Sequence, residues 1–155
     1  MMAPMRAAAD PASEFRELVD VLLDFLARHP EAGPKAAAID LPTRFVAPDL
    51  KLLLHVAPAG PKARAKGVHL EWSWGPAPKG FKAKALVTCP SALVPRLALG
   101  KENPARAIDR GDVTLTPLDP SVESGRLLDL LPVLVPLRGE VSARLREAGL
   151  GRFAS

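Results

Sequence analysis

The chain has 155 residues and a net charge of +4, and 48% of its residues are hydrophobic. A chain of this length is expected to form one compact domain that buries about 70% of its unfolded surface. The single cysteine, Cys89, excludes an internal disulfide and a multi-cysteine metal site, and it favours a reducing, cytoplasmic setting. No apolar run is long enough to cross a membrane, because residues 127–137 are interrupted by Pro132 and Pro136. Residues 1–9 lack the apolar core of a signal peptide, so we predict a disordered tail followed by a single domain over residues 10–155.

Basic residues are concentrated in residues 61–84, where Glu71 is the only acid. They are Lys62, Arg64, Lys66, Lys79, Lys82 and Lys84. One interpretation is an anion-facing patch that makes transient contact with an anionic membrane surface or with acyl-CoA phosphates. The alternative is an ordinary solvated loop and strand face. We expect no nucleic-acid partner, because the segment contains no interleaved exposed aromatic residues and no nucleic-acid recognition motif.

The first element is predicted to be a helix that begins at Asp10-Pro11 and ends before Pro30. Apolar residues recur at intervals of three and four, and charged residues occupy the opposite face. The apolar stripe comprises Phe15, Leu18, Val19, Leu22, Phe25 and Leu26. Core packing explains this stripe, and the same face can also line a ligand tunnel.

Residues 31–40 are rich in alanine, proline and glycine and predict a loop, with a single helical turn as the alternative. The apolar residues 41–47 are interrupted by Pro42 and followed by Pro48. Three strands are predicted over residues 50–57, 67–75 and 81–88, because apolar and polar side chains alternate there. Their succession favours an antiparallel meander with one solvent-exposed face. That face would carry Lys51, His55, His69, Glu71, Lys82 and Lys84. The opposite, apolar face, which the helices must cover, would carry Leu50, Leu52, Leu54 and Val56 of the first strand, Val68, Leu70, Trp72 and Trp74 of the second, and Phe81, Ala83, Ala85 and Val87 of the third. No third ligand accompanies the two histidines, so we expect exposed side chains and no metal site.

Two short helices are predicted between residues 91 and 111. Ser91 is expected to cap the first, and Gly100 to end it in the left-handed conformation. Asn103 is expected to cap the second with Pro104 at its first position, and Gly111 to end it. A further strand follows at Val113 and Leu115.

These residues form the pattern Gly100-x-x-x-Pro104-x-x-Ala107-x-x-x-Gly111-x-Val113. With the preceding strand and apolar helix, the pattern resembles the sterol carrier protein 2 (SCP2) lipid-binding family, and the likeness extends more loosely over residues 50–134. The chain departs from the family at residues 116–120, where a further glycine is usual. The resemblance implies an apolar tunnel between a sheet and its helices, and binding of fatty acids, fatty acyl-CoAs, phospholipids or sterols without catalysis.

The last part of the chain predicts a closing apolar segment and a final helix. Residues 127–137 are apolar on almost every side, which is typical of a segment surrounded by protein, ligand or a partner. Ser121 or Ser124 is the candidate cap of this segment. The final helix is predicted over residues 139–148, with Gly149 at its end.

Motifs for catalysis and cofactor binding are absent from the sequence. It contains no phosphate-binding glycine loop, no helical His-x-x-x-His pair, no Cys-x-x-Cys and no Gly-x-Ser-x-Gly. Cys89 precedes Pro90 near a helix start, where a reactive thiolate is one interpretation and a small buried hydrophobe is the other. We therefore predict a protein without cofactors that is not an enzyme.

The sequence thus predicts an α+β fold, with helices on one face of a mixed, largely antiparallel sheet of about five strands. The function favoured is carriage of a hydrophobic ligand in an internal apolar tunnel. The predicted lining, taken from the faces assigned above, is Val19, Leu22, Leu23, Phe25, Trp72, Trp74, Phe81, Leu97, Ile108, Leu115, Leu130, Leu131 and Leu134. The alternative is a protein-interaction module whose tunnel is filled by side chains, and the oligomeric state is left open.

Overall fold

The computed structural model describes residues 10–122 and 129–154. The strands of its sheet are β1 (Thr43–Ala47), β2 (Leu52–Pro58), β3 (Leu70–Trp74), β4 (Ala85–Thr88) and β5 (Thr114–Pro117). The helices are α1 (Pro11–Arg28), α2 (Ala32–Ile39), α3 (Pro61–Ala65), α4 (Leu93–Ala98), α5 (Pro104–Asp109), α6 (Leu130–Leu134) and α7 (Arg138–Glu147). Two 3-10 turns, Val135–Leu137 and Gly151–Ala154, flank α7. The predicted α+β class is confirmed.

The five strands form one mixed sheet in the order β3-β2-β1-β4-β5. β1 lies in the centre, antiparallel to β2 and parallel to β4, and the outer pairs are antiparallel. The predicted meander is therefore wrong, because β3 and β4 lie on opposite sides of the central β1 and are not neighbours. β1 itself falls in residues 41–47, for which the sequence predicts no strand.

Helix α1 confirms the prediction for residues 10–30. The Asp10 carboxylate accepts a hydrogen bond from the backbone N–H of Ser13 at 3.3 Å, and Pro11 occupies the first helical position. The helix buries one continuous face against the sheet and α7, formed by Phe15, Leu18, Val19, Leu22, Leu23, Leu26 and Ala27.

Helix α2 replaces the loop predicted for residues 31–40. Pro34 does not interrupt it, since the N–H groups of the first turn have no acceptor within the helix. Gly33 faces His69, and a Cβ at this glycine would lie 2.8 Å from the His69 ring. His69 is therefore half-buried against α2, and its predicted exposure is wrong.

The segment between β4 and β5 follows the prediction at three of its four helix ends. Asn103 accepts hydrogen bonds from the backbone N–H groups of Ala105 and Arg106, and Gly100 and Gly111 have φ of +72° and +79°. Ser91 does not cap α4. Its N–H and hydroxyl instead donate to the two carboxylate oxygens of Asp49, at 2.9 and 2.5 Å.

The C-terminal part contains α6 and α7, and α7 buries Val141 and Leu145. The final helix ends at Gly149, whose φ is +79°, as predicted. Leu127, Leu128 and Ser124 lie outside the described residues, as does the predicted N-terminal tail. Ser121 donates to Asp119 within its own loop and does not cap a helix. No helix in residues 10–122 and 129–154 has the length and apolar character needed to cross a membrane.

Candidate functional site

An apolar cavity of about 250 Å³ lies between the sheet and the helices. Its floor is built by neighbouring strands in register. Phe45 on β1 is opposite Leu54 on β2 and Val87 on β4, and Val87 is opposite Leu115 on β5. Directly opposed residues point to the same face of a sheet, so these four side chains form one apolar row across four strands.

The roof of the cavity is supplied by four helices. The contributing side chains are Val19, Leu22, Leu23 and Leu26 of α1, Ala36 and Ile39 of α2, Val94, Leu97 and Ala98 of α4, and Leu130, Leu131 and Leu134 of α6. Three- and four-residue spacing puts each set on one side of its helix. Among the described lining residues only Thr43 and Cys89 have a polar atom in the side chain. The chemistry of this wall suits hydrocarbon.

Eight of the thirteen predicted lining residues surround this cavity. They are Val19, Leu22, Leu23, Leu97, Leu115, Leu130, Leu131 and Leu134. The structure places the other five, Phe25, Trp72, Trp74, Phe81 and Ile108, outside the cavity wall.

The two tryptophans lie on the predicted face of β3 but are held away from the cavity. The indole N–H groups of Trp72 and Trp74 both donate to the same carboxylate oxygen of Asp20 on α1, at 3.0 and 2.9 Å. Trp74 also packs edge-on against Phe15, with ring centroids 6.2 Å apart. These contacts link the edge strand β3 to α1, and both indole rings pack, partly buried, against the main hydrophobic core.

The remaining three residues have other surroundings. Phe25 packs against His29, and Ile108 joins the small core cluster of Cys89, Ala107 and Val113. Phe81 lies on the opposite face of the sheet, 4.9 Å from the ring of His55. Its face was predicted from a strand that begins only at Ala85, so alternation does not apply to it.

Several lining residues are not predicted from the sequence. Phe45 lies on β1, and Ala36 and Ile39 lie on α2, two elements that the sequence does not predict. Leu54 and Val56 had been assigned to the helix-facing side of β2, so the alternation already contained the information needed to include them.

Cys89 lies in the cavity wall and is 2% exposed. Burial, assisted by the negative charges of Asp49 and Asp112, raises the pKa of its thiol to about 12. The thiol is therefore protonated at neutral pH, which favours the small buried hydrophobe over the reactive thiolate.

His55 differs from its predicted exposure. It is 2% exposed and accepts a hydrogen bond at Nε2 from Arg44 Nε at 3.1 Å. The segment that follows β3 covers it, with Phe81 against the ring. No group of three or more His, Cys, Asp or Glu side chains in the described part of the chain is arranged to hold a metal ion.

The sequence matches no protein-family model and no curated protein. Solved structures with a similar fold include the stereoselective inverting sec-alkylsulfatase Pisa1 from Pseudomonas sp., with 23% identity and a TM-score of 0.56 over 84% of this chain. A double mutant of the same sulfatase gives 24% identity and a TM-score of 0.55. In both comparisons the chain spans 17% of the sulfatase.

The comparison with UbiJ-SCP2, a ubiquinone synthesis protein, covers both chains almost completely. The match spans 87% of this chain and 95% of UbiJ-SCP2, with 14% identity and a TM-score of 0.54. At these identities the comparisons establish the fold. The chain therefore has an SCP2-like fold.

Proposed function

We propose that the chain binds and carries a hydrophobic ligand, namely a fatty acid, fatty acyl-CoA, phospholipid or sterol, without catalysing a reaction on it. The observation that carries the proposal is the cavity of about 250 Å³ with a wall of hydrocarbon side chains. An apolar cavity of about 150 Å³ stays dry and accepts benzene. A larger cavity of the same chemistry suits an acyl chain.

The volume limits how much of a ligand the cavity encloses. Scaled from benzene, about 250 Å³ holds about ten carbon atoms. Each buried methylene contributes about 0.8 kcal/mol, or roughly a fourfold gain in affinity. The enclosed part of the ligand is thus a chain of medium length, and longer chains or sterol rings extend beyond the present walls.

This limit predicts a break in a chain-length series. With delipidated protein, affinity for saturated fatty acids from six to sixteen carbons should rise about fourfold per added methylene up to about ten carbons, then level off. Displacement of a fluorescent fatty acid measures the series.

Leu131→Glu and Leu118→Glu form a matched pair for this experiment. Leu131 lines the cavity, whereas Leu118 is 45% exposed and lies outside it. A buried carboxylate in the wall should abolish binding in the first variant, because an unpaired charge is costly there, and leave the second unchanged. Equal binding by both variants, or no saturable binding at any chain length, would contradict the proposal.

Helix α3 is the proposed contact with anionic membrane surfaces. It follows Pro58 in the cavity wall, and Lys62, Arg64 and Lys66 are exposed on and beside it. A basic residue near an anionic surface contributes about 1 kcal/mol. The other basic residues of the predicted patch, Lys79, Lys82 and Lys84, lie in the connection between β3 and β4.

The membrane proposal predicts the effect of charge removal from α3. Lys62→Gln/Lys66→Gln should bind vesicles of phosphatidylserine and phosphatidylcholine about thirtyfold more weakly, from the loss of about 2 kcal/mol. Lys35→Gln/Lys51→Gln, which removes the same charge from exposed positions on α2 and before β2, should bind as the wild type does. Vesicle sedimentation measures both, and equal losses would reject a role specific to α3.

The cavity also weighs against the alternative of an interaction module with a filled tunnel. That alternative predicts a stable oligomer or complex and no bound lipid, whereas the carrier predicts co-purified lipid. Native mass spectrometry of the purified protein distinguishes the two. The raised pKa of the Cys89 thiol supports the absence of cysteine catalysis, since a protonated thiol is a poor nucleophile.

A further inference from the structure

The described wall of the apolar cavity contains two polar side-chain groups, the hydroxyl of Thr43 and the thiol of Cys89. Thr43 is the first residue of β1, and its side chain is on the same face of the sheet as Phe45, two residues later. It is half-buried, and the residues directly opposite it on β2 and β4 are Val56 and Ala85. Thr43 therefore places a single hydroxyl in a row of hydrocarbon side chains.

The hydrogen bonds of these two groups decide what they offer to a ligand. The Thr43 hydroxyl donates to the carbonyl of Leu41 at 2.7 Å, and the Cys89 thiol donates to the carbonyl of Pro90 at 3.4 Å. A hydroxyl has one hydrogen and two lone pairs, so the Thr43 oxygen still accepts a hydrogen bond while its own hydrogen is occupied. A thiol sulfur is only a weak acceptor. The side chains of the described wall thus present one good acceptor and no free donor.

The two groups lie at opposite ends of the cavity floor. Cys89 donates its backbone N–H to the carbonyl of Val46, three residues beyond Thr43, so it lies about 10 Å along β1 from Thr43. Cys89 is 2% exposed, whereas Thr43 is half-buried. The Cys89 end is therefore the closed end of the cavity. A lipid in this cavity would lie with its polar group at Thr43 and its apolar end toward Cys89.

The wall is unfavourable for an ionised head group. Its described side chains carry no charge at neutral pH, and the basic side chains of α3 are exposed and lie outside the wall. A carboxylate accepts hydrogen bonds but donates none, so it would bond to Thr43 only if the hydroxyl turned away from Leu41 and left that carbonyl unpaired. An ionised carboxyl group within the apolar wall would also lose its hydration.

We propose that the cavity selects an uncharged lipid with a hydroxyl group, of the class of the long-chain alcohols, over the ionised fatty acid of equal length, and that Thr43 determines this preference. The ligand hydroxyl donates to Thr43 Oγ1, and the alkyl chain extends toward Cys89. The inference rests on the proposed carrier function and narrows its ligand class.

The test compares 1-decanol with its isomer methyl nonyl ether and with decanoate, each as a competitor of the fluorescent fatty acid on delipidated protein. The alcohol and the ether have the same atoms, but only the alcohol can donate. One net hydrogen bond contributes about 1 kcal/mol, so decanol should bind about fivefold more tightly than the ether. Decanoate should bind at least tenfold more weakly than decanol, because of its charge.

The outcomes separate this inference from the carrier function. If the ether or decanoate binds as tightly as decanol, the preference for a hydroxyl is overturned, while saturable binding still supports carriage of a hydrophobic ligand. If none of the three compounds binds saturably, the carrier function and the inference are both overturned.

Three variants assign the preference to Thr43. Thr43→Val keeps the shape of the side chain without the hydroxyl, so it should weaken decanol about fivefold, leave methyl nonyl ether unchanged and abolish the preference. Thr43→Ser retains a hydroxyl and should keep the preference. Thr88→Val is the control, because Thr88 is also half-buried in the sheet but is opposite Val46 on the face away from the cavity. A preference that survives in Thr43→Val, or that is lost equally in Thr88→Val, would overturn the role of Thr43.

Discussion

The surroundings of His55 decide its protonation state. The alternation of apolar and polar residues along β2 predicts that His55 lies on the polar face of the sheet. The structure confirms this face, but the side chain is buried and not exposed as predicted. What covers it is a segment about 25 residues later in the chain, with Phe81 against the ring. Strand periodicity reports the direction of a side chain and carries no information about which distant segment lies above it. Burial of single residues was therefore the least predictable property.

The lowered pKa of His55 predicts an acid-sensitive fold. Near pH 7.5 the ring is neutral in both states, whereas below the ordinary value of 6.5 the unfolded chain binds a proton that the folded chain resists. Because the unfolded state then binds more protons, the free energy of unfolding should fall as pH decreases below about 6.5, by up to about 1.4 kcal/mol per pH unit. Urea denaturation between pH 7.5 and 5 measures this slope.

His55→Gln provides the comparison, because glutamine keeps a polar side chain without a proton that titrates in this range. The variant should have a flatter dependence than the wild type between pH 6.5 and 5. Parallel curves for the two proteins would show that other groups cause the acid sensitivity.

At the scale of elements, the sequence predicted structure well where the decisive interactions are local. The ends of α1 and α5 depend on Asp10 and Asn103, each of which bonds to an N–H two or three residues away. Such caps are visible in a short window of sequence.

The two elements that the sequence did not predict, β1 and α2, both have prolines at or near their ends. A proline can interrupt an element, but it is also tolerated at the boundary of a strand or in the first turn of a helix. Pro42 and Pro48 lie just outside β1, so they bound the strand without interrupting it. Pro34 falls in the first turn of α2, where its missing N–H costs little. The predicted meander is wrong for another reason, because the alternation of apolar and polar residues does not determine which strands pair. The central position of β1 depends on contacts between residues that are distant in the sequence.

Gly100 follows α4 and lies against Val135 of the closing apolar segment. We therefore expect a single added methyl group at this position to destabilise the fold strongly. The φ of Gly100 is +72°, and an added Cβ would lie 2.9 Å from Cγ1 of Val135. Gly100→Ala should therefore lose about 1–2 kcal/mol from the left-handed backbone and a further 1 kcal/mol or more from the overlap. Urea denaturation gives the free energy of unfolding.

Gly149 supplies the matched control, since its φ is +79° and nothing lies within 4 Å of an added Cβ. Gly149→Ala should show the backbone effect alone, about 1–2 kcal/mol. If the two variants lose the same free energy, the contact between Gly100 and Val135 has no energetic role. Val135→Ala in the Gly100→Ala background should recover part of the difference.

The cavity is a property of the whole molecule. Its floor needs four strands in register, and its roof needs helices from both ends of the chain. Sequence patterns predicted which faces are apolar, and most of the predicted lining does meet there. They did not indicate that Trp72 and Trp74 would be held by Asp20 on α1, because that pairing joins positions more than 50 residues apart. The volume of the cavity is set by how all of these strands and helices pack together, which no single segment of sequence specifies.

Cys89 is a natural reporter of what occupies that space, because its thiol is part of the wall. With a pKa of about 12 in place of 9.0, its thiolate fraction at pH 8 is about a thousandfold below that of a free cysteine. Alkylation by iodoacetamide at pH 8 should therefore be slow, and decanoate at a hundred times its Kd should slow it about a hundredfold further. The same hundredfold slowing is expected whether iodoacetamide reaches Cys89 through the cavity or through unfolding of the protein, because decanoate must dissociate before either event.

Mass spectrometry measures the alkylation rate, and Leu131→Glu, which should not bind decanoate, should show no protection of Cys89. If wild-type protein that binds decanoate is alkylated as fast as the free protein, the acyl chain is bound elsewhere than in the cavity.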